Sequence, residues 1–169
     1  MYAIRPCNAE DAPGVAEVAR RTWHATYGSI LPEQVRQRVL DQWYNVEKIA
    51  QRVTQGKVTF LVAEDEDGVI VGYAQAMHRR ELGDAELFAI YVLPEHQGQR
   101  LGYGLLTETL RALQQRAPVK RLFIQVEREN RIGRRFYDRV GFLPVREYEE
   151  DLFGFTSTMV EMSLDAASL

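Results

Sequence analysis

Val92-Leu93-Pro94-Glu95-His96-Gln97-Gly98-Gln99-Arg100-Leu101-Gly102-Tyr103-Gly104-Leu105-Leu106 is the stretch that decides the fold. An apolar strand enters a glycine-bearing loop, and the loop runs straight into a helix with Leu105, Leu106, Leu110 and Leu113 on its inward face. The first amides of a helix have no acceptor within it, and aligned peptide dipoles place partial positive charge there. Glycines at 98, 102 and 104 let a bulky anion reach that backbone without meeting a Cβ. The segment reads as a seat for a phosphate or pyrophosphate.

Two familiar phosphate loops do not fit. A mononucleotide loop needs Lys followed by Ser or Thr after its second glycine, where Tyr103 and Gly104 stand. A dinucleotide fold needs a G-x-G-x-x-G turn inside alternating βαβ units. Here the glycines are out of phase and the preceding strands meander. Glycines serving turn geometry alone remain the plainer alternative.

Outward from this stretch, Tyr2 to Pro6 reads as a strand. A helix capped by Asn8 runs through Val15, Val18, Ala19 and Trp23 to about Tyr27. Gly28 breaks it, Pro32 opens a second helix, and a short third piece follows Asn45. Strands 58–64 and 69–79 flank the turn Asp65-Glu66-Asp67-Gly68, a strong hairpin signal. A strand over 85–93, a helix over 101–117 and a strand over 122–126 come next. The strands 142–149 and 157–164 close the chain. The order βαα-βββ-αβ-αββ predicts an α/β (α+β mixed) fold: about seven mostly antiparallel strands in one sheet, with helices on both faces. Residues 1–164 are expected to be ordered and 165–169 a loose tail.

Asn130-Arg131-Ile132-Gly133-Arg134-Arg135-Phe136-Tyr137-Asp138-Arg139-Val140-Gly141-Phe142 is a second informative segment. Asn130 can cap a short helix and Gly141 can end it in the left-handed conformation. Ile132, Phe136 and Val140 recur every four residues as its expected buried stripe. Asn130, Gly133 and Tyr137 share a neighbouring face. A capped surface helix with a half-buried tyrosine would account for this segment taken alone.

Composition narrows the classes. The 169 residues are 46% apolar, enough for one domain core, and a net charge of −3 gives no global field for nucleic acid or an anionic membrane. Arg128, Arg131, Arg134, Arg135 and Arg139 form a local basic group, either a solvated helix face or, for one or two of them, a contact to phosphates. The single cysteine, Cys7, precludes an intrachain disulfide. No apolar run approaches the ~18 residues of a membrane span, and residues 1–30 lack the continuous apolar core of a leader. A cytoplasmic protein is expected. His24, His78 and His96 stand apart, so no metal site is expected.

Taken together, the two segments resemble the GNAT superfamily of N-acetyltransferases. Its loop pattern, Gln/Arg-x-x-Gly-x-Gly/Ala after a strand ending Val-x-Pro, is matched by Gln97, Arg100 in the usual glycine position, and Gly102. A register slipped to Gln99 and Gly104 fits the bare pattern but breaks the spacing from Pro94. The second pattern, Asn-x-x-Ala-x-x-Phe-Tyr-x-x-x-Gly-Phe, is matched from Asn130 to Phe142, with Gly133 in the Ala position. The resemblance implies the GNAT fold with strands 4 and 5 splayed, and a single N-acetyltransferase domain over 1–169. Acetyl-CoA would be the co-substrate, with no metal. Tyr91, Val92 and Leu93 would offer main chain to the pantetheine, with the Val92 N–H at the oxyanion. Gln97, Gly98, Gln99, Arg100, Leu101, Gly102 and Tyr103 would hold the pyrophosphate, and Asn130 would lie by the pantetheine. Tyr137 would return a proton to the departing thiolate, and Glu86, about eleven residues before Gln97, would be the base, ahead of Glu81 and Asp84.

The segment Trp23-x-x-x-Tyr27-x-x-Ile30-Leu31-Pro32 resembles a GNAT subgroup that includes polyamine acetyltransferases. Trp23 and Tyr27 would there bind the acceptor, cation–π contact being the attraction; core packing is their simpler role. A small amine or polyamine, a protein N-terminus and an antibiotic all stay open as acceptors. So do a non-catalytic acyl-CoA-binding regulator and an interaction protein whose last strands pair into a homodimer.

Overall fold

Asp65 makes the central hairpin: its Oδ1 accepts the N–H groups of Asp67 and Val69 at 3.0 and 2.9 Å, and Gly68 takes φ +78°. In the computed structural model, which describes Met1–Leu169, this turn joins β2 (Thr59–Glu64) to β3 (Ile70–His78). β3 pairs antiparallel with β4 (Asp84–Val92), and β1 (Ala3–Pro6) lines the outer side of β2. β5 (Arg121–Glu127) runs parallel to β4. β7 (Phe155–Asp165) inserts between β5 and β6 (Leu143–Leu152), giving the order β1-β2-β3-β4-β5-β7-β6. This is the expected mixed, mostly antiparallel seven-stranded sheet.

Helices α1 (Ala12–Tyr27), α2 (Glu33–Trp43) and α3 (Val46–Gln55) precede the hairpin, α4 (Leu101–Arg116) links β4 to β5, and α5 (Arg131–Val140) follows β5. Side chains alternate faces along a strand. On β3, Gly72 lies under Leu105 of α4, whereas Tyr73 and Gln75 meet Tyr44 and Arg52 from the α1–α3 layer. Helices therefore cover both faces. Leu105, Leu106 and Leu113 are fully buried, as their spacing predicts.

The feature that makes a site is a parting in the sheet. β4 and β5 pair only from Asp84↔Arg121 to Leu87↔Ile124. Beyond that, β4 stays with β3 as far as Val92, while β5 follows β7 to Glu127↔Met159. Phe88 is the cause on the β4 side: Gln75 pairs with Ala89 and Ala76 with Leu87, which leaves Phe88 as an extra residue. Such a bulge bends its strand away from the ladder.

Three expectations need correction. The piece after Asn45 is a full ten-residue helix, with Asn45 Oδ1 accepting the Lys48 N–H at 2.9 Å and Gly56 ending it at φ +65°. The order is thus βααα-βββ-αβ-αββ. Asn8 caps a separate 3-10 turn, Ala9–Asp11, through a reciprocal bond with Asp11, and α1 starts only after it. The tail is not loose: Asp165 belongs to β7, Asp165 Oδ1 accepts the Ala167 N–H, and buried Ala166 donates to the Lys120 carbonyl at 2.8 Å. Removing residues 166–169 should therefore cost about 1–2 kcal/mol, one hydrogen bond plus a buried methyl. Urea unfolding of the truncated chain measures this, and an unchanged midpoint would show the tail to be idle.

Candidate active site

From Gln97 to Tyr103 the backbone turns its donors outward. Gly98 and Arg100 both sit in the left-handed region, at φ +77° and +59°. Alternation of left- and right-handed residues makes a concave row of N–H groups. No side chain caps α4, and the first N–H to find a helical acceptor is that of Gly104, on the Arg100 carbonyl. The amides of Leu101, Gly102 and Tyr103 are left to face the cleft. Position 100 favours glycine for a physical reason, because a side chain at positive φ costs about 1 kcal/mol. Arg100 bears that cost and places a cation on the cavity wall.

The parted strands supply a second set of groups. The Leu93 N–H donates to Val71 on β3, so odd-numbered residues here bond toward β3 and Ile90 and Val92 turn toward the gap. The Val92 carbonyl accepts from Gln97 Nε2 at 2.9 Å, which fixes the loop to the strand end. The Val92 N–H and both Ile90 groups remain for an added, strand-like ligand. Of the three residues expected here, Tyr91 and Val92 border the cavity, whereas Leu93 is buried with its amide used.

α5 closes the other wall. Asn130 Oδ1 accepts the Gly133 N–H at 2.9 Å, as its capping position predicts. A Cβ on Gly133 would stand 2.7 Å from Asn130 Nδ2, so the absent methyl lets the asparagine fold over its own helix. Phe136 rests on Gly102, where a Cβ would meet its ring at 3.3 Å. The expected buried stripe is covered only in part: Phe136 and Val140 are half-buried against the core, and Ile132 is 69% exposed because it reaches the cavity rim and no element packs on it. Tyr137 lies against Phe136 and Phe142 and lines the cavity. Burial with no hydrogen bond to offset it, then the Tyr27 phenol nearby, raises Tyr137 well above the usual tyrosine value.

These walls enclose a cleft of about 510 Å³. It borders Gln97, Gly98, Arg100, Leu101, Gly102 and Tyr103 from the loop expectation, with Asn130 and Tyr137, but not Gln99, which accepts from the Tyr2 hydroxyl at 2.9 Å. Tyr27 reaches it; its hydroxyl lies 3.4 Å from that of Tyr91 and 3.5 Å from Asn130 Nδ2. Trp23 sits behind Tyr27, ring centroids 4.4 Å apart, and supports it rather than facing the cleft. Glu86 is also set back, paired with Arg79 at 3.1 Å. Arg79 bonds Glu161 at 2.9 Å, and Glu161 accepts from Gln125 at 2.6 Å. Gln125 does line the cleft, so a chain of side chains runs from it to Glu86. Gln125, Phe88 and Ile90 escaped sequence reasoning, because nothing in their residue types marks the end of strand pairing.

Comparison with known proteins agrees with this geometry. The acetyltransferase (GNAT) family model matches residues 17–142. A spermidine N(1)-acetyltransferase of Thermoplasma acidophilum is 28% identical over 144 residues, spanning 82% of this chain and 86% of its own. The crystal structure of PaiA N-acetyltransferase from the same organism, in complex with coenzyme A, superposes with a TM-score of 0.78 at 25% identity, over 95% of this chain and 98% of that one. In fold, the Escherichia coli ribosomal-protein-S18-alanine N-acetyltransferase is also alike, with a TM-score of 0.71 at 20% identity over 98% and 94% of the two chains. The chain belongs to the GNAT family of acetyltransferases.

Tyr137 is thus held protonated at neutral pH, in the form that can donate. A phenolate absorbance titration of Tyr137→Phe should match the parent across the ordinary tyrosine range around pH 10. Loss of one group titrating in that range would contradict the burial argument.

Proposed function

We propose that this protein carries an acetyl group from acetyl-CoA to a primary amine by direct attack while both are bound, with a small amine or polyamine as the acceptor. The observation that carries the reading is the convergence of the free amides at 101–103, the unpaired Val92 N–H and the Tyr137 phenol on one cleft. The first group suits a pyrophosphate and the second a thioester carbonyl. The third suits a departing thiolate. Cβ-free Gly102 and the left-handed Gly98 leave room for the bulky donor.

The chemistry assigns each residue a task. An alkylammonium, pKa about 10.4, has no lone pair and must lose a proton near pH 7. Glu86, roughly a quarter exposed (27%), takes it through water. It lies one residue before the last paired position of β4, on the face shared with Tyr91. The amine nitrogen then attacks the carbonyl carbon, and the Val92 N–H meets the charge growing on oxygen. The C–S bond breaks as Tyr137 gives its proton to sulfur, the attacking nitrogen releases its second proton to water to leave the neutral amide, and the Tyr137 phenolate regains a proton from solvent. The ring of Tyr27, with Trp23 behind it, offers an aromatic surface to a cationic tail. The spermidine activity in the name of the Thermoplasma relative supports an acceptor of this class.

A thiol-release assay with spermidine, peptide N-termini and aminoglycosides tests the reading, and silence across the whole panel would overturn it. Tyr137→Phe should lower turnover roughly 10²-fold, the usual scale for one acid–base group, with acetyl-CoA affinity kept. Glu86→Gln should lower it about as much at pH 7 and recover as pH approaches the amine pKa; a flat deficit at all pH would remove Glu86 as the base.

A further inference from the structure

The α5 arginines are not used by the mechanism above. Arg131, Arg135 and Arg139 recur every four residues and form one stripe along the helix. Arg135 and Arg139 border the cleft. Neither has a carboxylate within 4.0 Å or a hydrogen bond to the rest of the chain, unlike Arg5, Arg79, Arg121 and Arg146, which are all paired. In a chain of net charge −3, two free cations at one rim form a local positive patch that faces the ligand. Their location is fixed by packing: Phe136, beside Arg135, rests on Gly102 and so draws this stretch of α5 alongside the start of α4.

Given acetyl-CoA as the donor, on which this inference rests, the ligand brings two separate phosphate groups. Its pyrophosphate is matched by the amides of the loop. Its ribose 3′-phosphate is a dianionic monoester, too far along the molecule to share those donors. We propose that Arg135 and Arg139 hold the 3′-phosphate, so that the protein selects CoA over the 3′-dephospho form. Guanidinium suits the task, since its fixed fork of donors matches phosphate oxygens and keeps its charge at every working pH.

Calorimetry with CoA and 3′-dephospho-CoA, on the parent protein and on the double variant Arg135→Gln/Arg139→Gln, tests this. The parent should prefer CoA roughly 10- to 100-fold at low salt, the scale of one or two charge-assisted bonds. Added salt should shrink the preference, because both partners lie near solvent. The double variant should bind the two ligands alike, at about the parent's affinity for the dephospho form. Equal binding by the parent would overturn the assignment, as would a variant that weakens both ligands and keeps their ratio. Folded parent protein that binds neither ligand would overturn the acyl-donor reading and this inference with it.

Discussion

Ile90 and Val92 have backbone groups to offer because β5 leaves β4 after Leu87↔Ile124, and the remaining features of the site follow from that departure. A sheet interior has no spare donors, since its ladder consumes them. One unmatched residue, Phe88, bends β4, while β7 draws β5 aside by pairing with it through Glu127. The gap then exposes main chain at the level where the Gln97–Tyr103 loop begins. Gln97 connects the two by bonding the Val92 carbonyl, so loop and strand end form one rigid surface. Covering this surface from the far side, α5 brings in Asn130 and Tyr137.

Buried phenols run inward from one wall of the cleft. Tyr27, Tyr44, Tyr73 and Tyr91 all have their ionisation pushed upward, chiefly by burial. Tyr27 and Tyr91 meet hydroxyl to hydroxyl next to the cleft, and Tyr73 and Tyr44 continue the aromatic layer inward toward Arg52. The wall is neutral at working pH yet polar at its tips.

Much of this was legible in residue types. Gly98 and Gly102 mark a loop of open backbone, Asp65 and Gly68 mark a tight turn, and Asn130 with Gly141 mark the two ends of α5. Each is a local backbone requirement that only a few side chains meet. What the chain concealed depends on partners distant in sequence. Phe88 carries no sign of being a bulge, because the mismatch exists only against Gln75 and Ala76. Ile132 has helical spacing with Phe136 and Val140, but no element arrives to cover it. Trp23 and Tyr27 share a helix face, yet Tyr27 alone reaches the cleft, because Trp23 is tucked behind it. Ala166 has the residue type of a frayed end, and the Lys120 carbonyl that holds it lies far away in sequence.

The brevity of the β4–β5 ladder has a mechanical consequence. Within the sheet, four backbone-paired residue pairs join a larger slab, β1 to β4, to a smaller one, β5 to β7, while side chains such as Arg79 and Glu161 tie the two together beside it. The angle at which the two slabs meet along that seam sets the width of the opening. A guest that touches the Val92 end on one side and Asn130 on the other acts as a strut across the seam.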